Sequence, residues 1–333
     1  MDNKSTKIFE ENSGYILKEA TRLYGITEAD LTKLGSFESY VYEYEKDNQS
    51  RILKLTHSHH RSGQLIQGEL EWVNYLAENK VSVPAVIPSE SGNLVETIDL
   101  GDSYFLAYAF EKAEGKLPES SRWDDSLFEN WGRVMGRMHA LAKSYKPSNN
   151  SIKRFHWYED ASLRVENHIP ASQPLVIERC NQLKNKLREI PTDMESYGLI
   201  HSDIHHGNFF VNNGDITVFD FDDCHYNWFA YDIAIPLFYV LRDSEIDPND
   251  KSFARHFMSR FMAGYKQENA IDPVHLEVIP DFMKLRELDL YIIIHAENAQ
   301  NLNGWCERYM KNRRYSIENK IPIIDIDFPA FGR

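Results

Sequence analysis

HSDIHHGNFFVNNGDITVFDFDD, running from His201 to Asp223, is the densest stretch of polar chemistry in this 333-residue chain. It reads as His-x-Asp-x-x-x-x-Asn, then two short β-prone runs, then Asp-Phe-Asp. The runs, Phe209-Phe210-Val211 and Ile216-Thr217-Val218-Phe219, are joined by Asn212-Asn213-Gly214-Asp215, whose Asn-Gly step suits a tight hairpin. A phosphoryl-transfer centre needs a carboxylate that orients the attacking hydroxyl and takes its proton. Five residues on, it needs an amide oxygen for a divalent cation. Across a short hairpin, it needs a second carboxylate that bridges metal and phosphates. Asp203, Asn208 and Asp220 fill those places in order. Such chemistry asks the protein for positioning and charge neutralisation, so a few well-spaced side chains are informative.

The same residues admit other readings. His201 is a general base or, as favoured here, a packing residue that holds the loop by hydrogen bonds. With Asp203 and Asp220, the histidines His201, His205 and His206 form a donor set that suits a transition metal, and hence a metal hydrolase. That reading leaves Asn208 without a role, together with everything the kinase reading requires upstream.

Upstream, a kinase needs a cation on the strand that follows the first hairpin, to hold the nucleotide phosphates. Lys54, in Ile52-Leu53-Lys54-Leu55, stands there. It needs a helical Glu to pair with that cation. Glu69 and Glu71 are both available but, two apart, point to different faces, and Glu69 is the choice. A turn over the phosphates falls at Leu34-Gly35-Ser36-Phe37-Glu38-Ser39, with Gly35 as its one glycine.

The surrounding pattern divides the chain near residue 111. Before it come a helix over Gly14–Tyr24, strands over 40–44, 51–55, 94–98 and 103–110, and one inserted helix over 64–79 that ends before Pro84. After it helices dominate, over 126–145, 175–189, 230–241, 251–269 and 280–301. The expectation is an α+β chain with a β-rich N-terminal nucleotide-binding lobe, 1–111, and a larger helical C-terminal lobe, 112–333, for catalysis and substrate.

Taken together these segments resemble the aminoglycoside phosphotransferase and choline kinase superfamily, a branch of the bilobal protein-kinase-like fold. The likeness runs through Leu34-Gly35-Ser36-Phe37-Glu38-Ser39-Tyr40-Val41-Tyr42, then Glu69 to Leu76 with Val83-Pro84, and Trp131 to Leu141. It continues through His201 to Asn208, with Ser202 where Gly is usual, then Val218 to Asp223, and Tyr231-Asp232-Ile233-Ala234. The resemblance implies ATP and Mg2+ as cofactors, Asp203 as base, and Asn208 and Asp220 as metal ligands, with Asp222 as a supporting or second-metal carboxylate. It implies Lys54 on the α- and β-phosphates with Glu69 as its partner, Gly35 and Ser36 over the phosphates, and backbone near Phe110, Glu111 and Ala113 against adenine. Asp232 enters as a structural Asp on the next helix. No Arg precedes Asp203 and no Gly follows Asp220-Phe221, which sets the chain apart from regulated protein kinases. Gly35 to Ser39 and Arg286-Glu287-Leu288 look nearest to homoserine-kinase-like and stress-response-kinase-like members.

Composition narrows the partners. A net charge of −14 opposes nucleic-acid binding and adsorption to anionic lipid, and is compatible with a cationic substrate. Hydrophobic residues at 42% and charged residues at 26% are ordinary for a globular chain. The three cysteines, Cys180, Cys224 and Cys306, fit no zinc spacing, and the odd count suits a reducing cytoplasm. No signal peptide or membrane-spanning segment is evident. The expected partner is a small molecule with an acceptor hydroxyl, bound by a monomer or homodimer. Substrate-wall candidates are Asp232, Tyr239, His295, Glu297, Trp305 and Glu307. The competing functions are a protein serine/threonine kinase of the stress-response type and a catalytically silent nucleotide-binding protein.

Overall fold

The computed structural model describes residues 3–36, 39–159, 165–243, 245–296 and 304–333. Phe37, Glu38 and Glu297 lie outside them. The chain forms two compact units. The first is Met1–Glu114 with Lys146–Arg154, and the second is Gly115–Tyr145 with Phe155–Arg333.

The first unit opens on α1 (Asn3–Tyr24), which begins eleven residues earlier than the apolar periodicity from Gly14 suggests. The added turns are polar except around Phe9, which anchors them by stacking on Tyr40 at 3.5 Å between ring centroids. An antiparallel sheet follows: β1 (Thr32–Ser36), β2 (Tyr40–Lys46), β3 (Gln49–His57), β4 (Val86–Ile87), β5 (Glu96–Asp99) and β6 (Tyr104–Glu111), with α2 (Gly63–Glu78) between β3 and β4. The strand order is β1-β2-β3-β6-β4, with β5 also on β6. Strand alternation sorts the faces. Leu53, Leu55, Ala107 and Ala109 join Ile16, Ala20 and Tyr24 of α1 in one core. On the other face Leu106 and Tyr108 pack against Ile66 and Leu70 of α2. Lys54 lies directly across from Tyr108, so it belongs to the α2 face.

The second unit carries α3 (Asp125–Ala142), α4 (Pro174–Arg188), α5 (Phe229–Val240), α6 (Lys251–Tyr265), α7 (Pro273–Leu276), α8 (Ile279–Ala296), α9 (Gly304–Met310) and α10 (Arg313–Glu318). Two small ribbons accompany them: β7 (Tyr197–Ile200) with β10 (His225–Trp228), and β8 (Phe209–Asn212) with β9 (Asp215–Val218). Every residue of α5 is buried, which accounts for its lack of a polar face. α3 and α6 approach until a Cβ on Gly132 would collide with the Phe261 carbonyl, and one on Gly264 with that of Glu129. No helix among the described residues is long and apolar enough to cross a membrane.

Candidate active site

The loop between β7 and β8 holds Asp203 and Asn208, and the turn after β9 holds Asp220. Two non-glycine residues here adopt left-handed backbone, Ser202 at φ 73° and Asp220 at φ 67°. Such conformations persist only where neighbours over-determine them. For Ser202 the neighbour is Asp232 of α5, fully buried. Its Oδ1 accepts the Ser202 N–H at 2.8 Å, and its Oδ2 accepts the His201 N–H at 3.1 Å. His139 Nε2 of α3 donates to the same Oδ2 at 3.1 Å, while His139 Nδ1 meets the Tyr265 hydroxyl at 3.0 Å. Asp232 is thus a clamp under the loop and not a wall of the substrate site, because both its oxygens are spent on buried donors. The positive φ also explains why a glycine is at home at position 202.

His201 is fully buried and stitches the two ribbons together. Its Nε2 donates to the Phe219 carbonyl at 3.1 Å, and its Nδ1 accepts the Asp203 N–H at 3.3 Å. Burial depresses its basicity, so the ring is a neutral staple. His205 stacks on Tyr239 at 4.3 Å, and burial holds it well below the usual imidazole range. His206 tilts against Trp123 at 5.2 Å. No group of three or more His, Cys, Asp or Glu among the described residues is arranged to hold a metal ion. The histidine-based hydrolase reading therefore loses its donor set.

Asn208 Nδ2 donates to the Asp203 backbone carbonyl at 2.9 Å. Its Oδ1 accepts no hydrogen bond among the described residues, and its backbone carbonyl takes the N–H of Phe219, the residue before the exposed Asp220. An amide oxygen and a carboxylate, completed by phosphate oxygens and water, fit Mg2+. Asp222 is 4% exposed and does not line the nearby pocket, whereas Asp223 does.

Asp203 itself makes an ion pair through Oδ1 with Arg286 Nη2 of α8. Burial, with Asp223 and Asp220 nearby, pushes its carboxyl up to about 7 against the pull of Arg286. Beside it lies a recess of about 50 Å³ lined by Ser202, Asp223, Arg286 and Asp289, with Trp157 and Tyr231 as its aromatic walls. Of the wall candidates, Tyr239 reaches this centre, donated to by Arg286 at 2.6 Å. His295, Trp305 and Glu307, at the end of α8 and on α9, do not line the recess.

In the first unit, Glu69 is fully buried on the face of α2 that carries Ile66 and Leu70, the face turned to Lys54. Glu71 is engaged elsewhere, accepting from Ser148 N at 2.8 Å and from its hydroxyl. Gly35 ends a bulge in which Leu34 is the extra residue, and a Cβ there would meet nothing within 4 Å. Ser36 closes β1. Phe110 sits in the sheet opposite Ile52 and Val86. The Glu111 N–H is taken by the Ala85 carbonyl at 2.8 Å and the Lys112 N–H by the Ser50 carbonyl at 3.0 Å, and Ala113 lies just past β6.

A family model described as the phosphotransferase enzyme family matches residues 30–267. Amicoumacin kinase of Bacillus subtilis (strain 168) is 42% identical over 327 residues, covering 97% of each chain. A solved structure of amicoumacin kinase hAmiN in complex with AMP-PNP, Ca2+ and Ami superposes with a TM-score of 0.92 at 38% identity, over 98% of both chains. The choline kinase LicA from Streptococcus pneumoniae shares the fold at a TM-score of 0.60 and 15% identity, covering 93% of this chain and 99% of its own.

Proposed function

We propose that this chain, which belongs to the phosphotransferase enzyme family, transfers the γ-phosphate of ATP to a hydroxyl of amicoumacin or a close chemical relative of it. The observation that carries the acceptor is the near full-length likeness, 42% identical, to an amicoumacin kinase. That likeness also favours a small-molecule acceptor over a protein serine.

The residues divide the work as follows. The first unit binds the nucleotide: Lys54 holds the α- and β-phosphates, Glu69 fixes Lys54, and Gly35 and Ser36 lie over the phosphates. Ala113 offers its N–H to adenine, beside Phe110 and Glu111. In the second unit Asp203 accepts the proton of the acceptor hydroxyl, and Asn208 Oδ1 and Asp220 hold Mg2+. When bound, Mg2+ neutralises charge on the phosphates. Asp222, 4% exposed, is the supporting or second-metal carboxylate. The recess with Asp223 and Asp289 suits an acceptor that carries a positive charge.

The test is an ATP-consumption screen with Mg2+ over amicoumacin, choline-like amines, amino alcohols, hydroxy amino acids and sugars. The proposal expects amicoumacin to give the highest kcat/KM. A higher value for a simple amino alcohol, with amicoumacin untouched, would overturn the acceptor assignment and leave the kinase assignment standing.

A further inference from the structure

Arg286 is 7% exposed, on a helix whose flanking Leu285 and Leu288 are buried. A buried guanidinium costs free energy unless it is paired, and a Met of similar length would pack there without that cost. Its Nη2 donates to Asp203 Oδ1 and, at 2.6 Å, to the Tyr239 hydroxyl. The guanidinium carbon also lies 5.3 Å from the centroid of the Tyr239 ring, against which His205 stacks.

The two oxygens of Asp203 are therefore unequal. Oδ1 is held by Arg286. Among the described residues, Oδ2 is approached at 3.5 Å by Asn208 Nδ2 and at 3.7 Å by His205 Nε2, both beyond a good hydrogen bond, and the Tyr239 hydroxyl also hydrogen-bonds to the carboxyl. The next residue on α8 fixes the rotation of the helix. Glu287 is fully buried, and its carboxylate is held by Lys284 and, at 2.6 Å, by Arg313 Nη1 of α10. Tyr309 of α9 donates to the Glu287 carbonyl at 2.7 Å. Consecutive helical residues point about 100° apart, so this anchor holds one side of α8 while the neighbouring side meets the catalytic loop.

We propose that Arg286 is the positioning residue of the transfer centre: by holding Asp203 Oδ1 it reserves Oδ2 as the atom that takes the acceptor's proton. The inference rests on Asp203 being the base. In the step, the acceptor oxygen bonds to the γ-phosphorus as that phosphorus separates from the β–γ bridging oxygen, which leaves with the electron pair on ADP. The acceptor proton passes to Oδ2, and Arg286 keeps its own protons.

The experiment uses the full chain with ATP, Mg2+ and amicoumacin, and compares Arg286→Met and Arg286→Lys in the parent and in an Asp203→Asn background. Asparagine keeps an oxygen for Arg286, so that background retains the contact. Arg286→Met is expected to lower kcat about 10²-fold, the cost of a base displaced by about 1 Å, with ATP and acceptor affinities little changed. Arg286→Lys recovers part of the rate. In the Asp203→Asn background Arg286→Met has no further effect on the residual rate, because its action runs through Asp203. A loss confined to acceptor KM would overturn the proposal by making Arg286 an acceptor ligand, and an equal kcat loss in both backgrounds would overturn it by making Arg286 act on the phosphoryl group. If Arg286→Met does not fold, Tyr239→Phe is the second probe: it should lower kcat in the parent and not in Asp203→Asn, and equal losses would again refute. Full activity of Asp203→Asn alone is a separate failure, that of the base assignment.

Discussion

Replacing Asp232 by Asn tests how the transfer loop is built. The carboxylate is buried and accepts three hydrogen bonds, from Ser202 N at 2.8 Å and from His201 N and His139 Nε2 at 3.1 Å each. Asn can keep the first through its oxygen. Its NH2 then faces two donors, so two bonds to a charged acceptor are lost, at about 1.5–3 kcal/mol each. Removing a buried charge returns part of that, for a net destabilisation of about 2–4 kcal/mol. Ser202, at φ 73°, loses support at the residue before the base, and a displacement of about 1 Å at Asp203 lowers kcat by up to about 10²-fold. Urea unfolding followed by tryptophan fluorescence gives the first quantity, and turnover measured well below the transition gives the second. A variant within about 0.5 kcal/mol of the parent, with unchanged kcat, would refute the view that Asp232 holds the loop in place.

Three further outcomes are expected. In protein free of metal and nucleotide, the 13C carboxyl signal of Asp203 titrates near 7: neutral below, ionised above, and higher still in Arg286→Met because the guanidinium is what holds it down; titration near the ordinary 3.8 would contradict this. Glu69→Gln weakens ATP binding by roughly tenfold or more, measured calorimetrically, whereas Glu71→Gln, whose carboxylate serves Ser148, leaves it unchanged. Gly132→Ala forces a Cβ into the Phe261 carbonyl and lowers stability by about 1–3 kcal/mol in the same urea assay; an unchanged midpoint would show that α3 and α6 can part freely.

What the sequence made legible was local. His201 to Asp223 lies within one loop and one hairpin, so its spacing carried its geometry, and the Asn-Gly step marked the turn between β8 and β9 where it occurs. The faces on which Lys54 of β3 and Glu69 of α2 lie follow from strand and helix periodicity. What escaped was distant in the chain. Arg286 meets Asp203 across 83 positions, from a helix buried on most sides, where no amphipathic stripe singles out one residue. His139 looked like one more residue of a helix, although it donates to Asp232 across 93 positions. The β7–β10 ribbon pairs two four-residue strands too short to stand out from their flanks. The start of α1 is not legible in the sequence because its first turns are polar and depend on Phe9 reaching Tyr40. Asp232 reads from the sequence both as a structural Asp and as a wall candidate, and the direction of its two oxygens separates those roles.

The central claim is that Asp203 drives transfer of phosphate from ATP to amicoumacin. It is tested most directly by 31P NMR of the parent and Asp203→Asn chains incubated with ATP, Mg2+ and amicoumacin. The account predicts a phosphomonoester and ADP in equal amounts from the parent, and a rate lower by roughly 10²–10⁴ from Asp203→Asn with ATP binding intact. Equal rates from the two chains, or ADP formed without a phosphorylated acceptor, would contradict it.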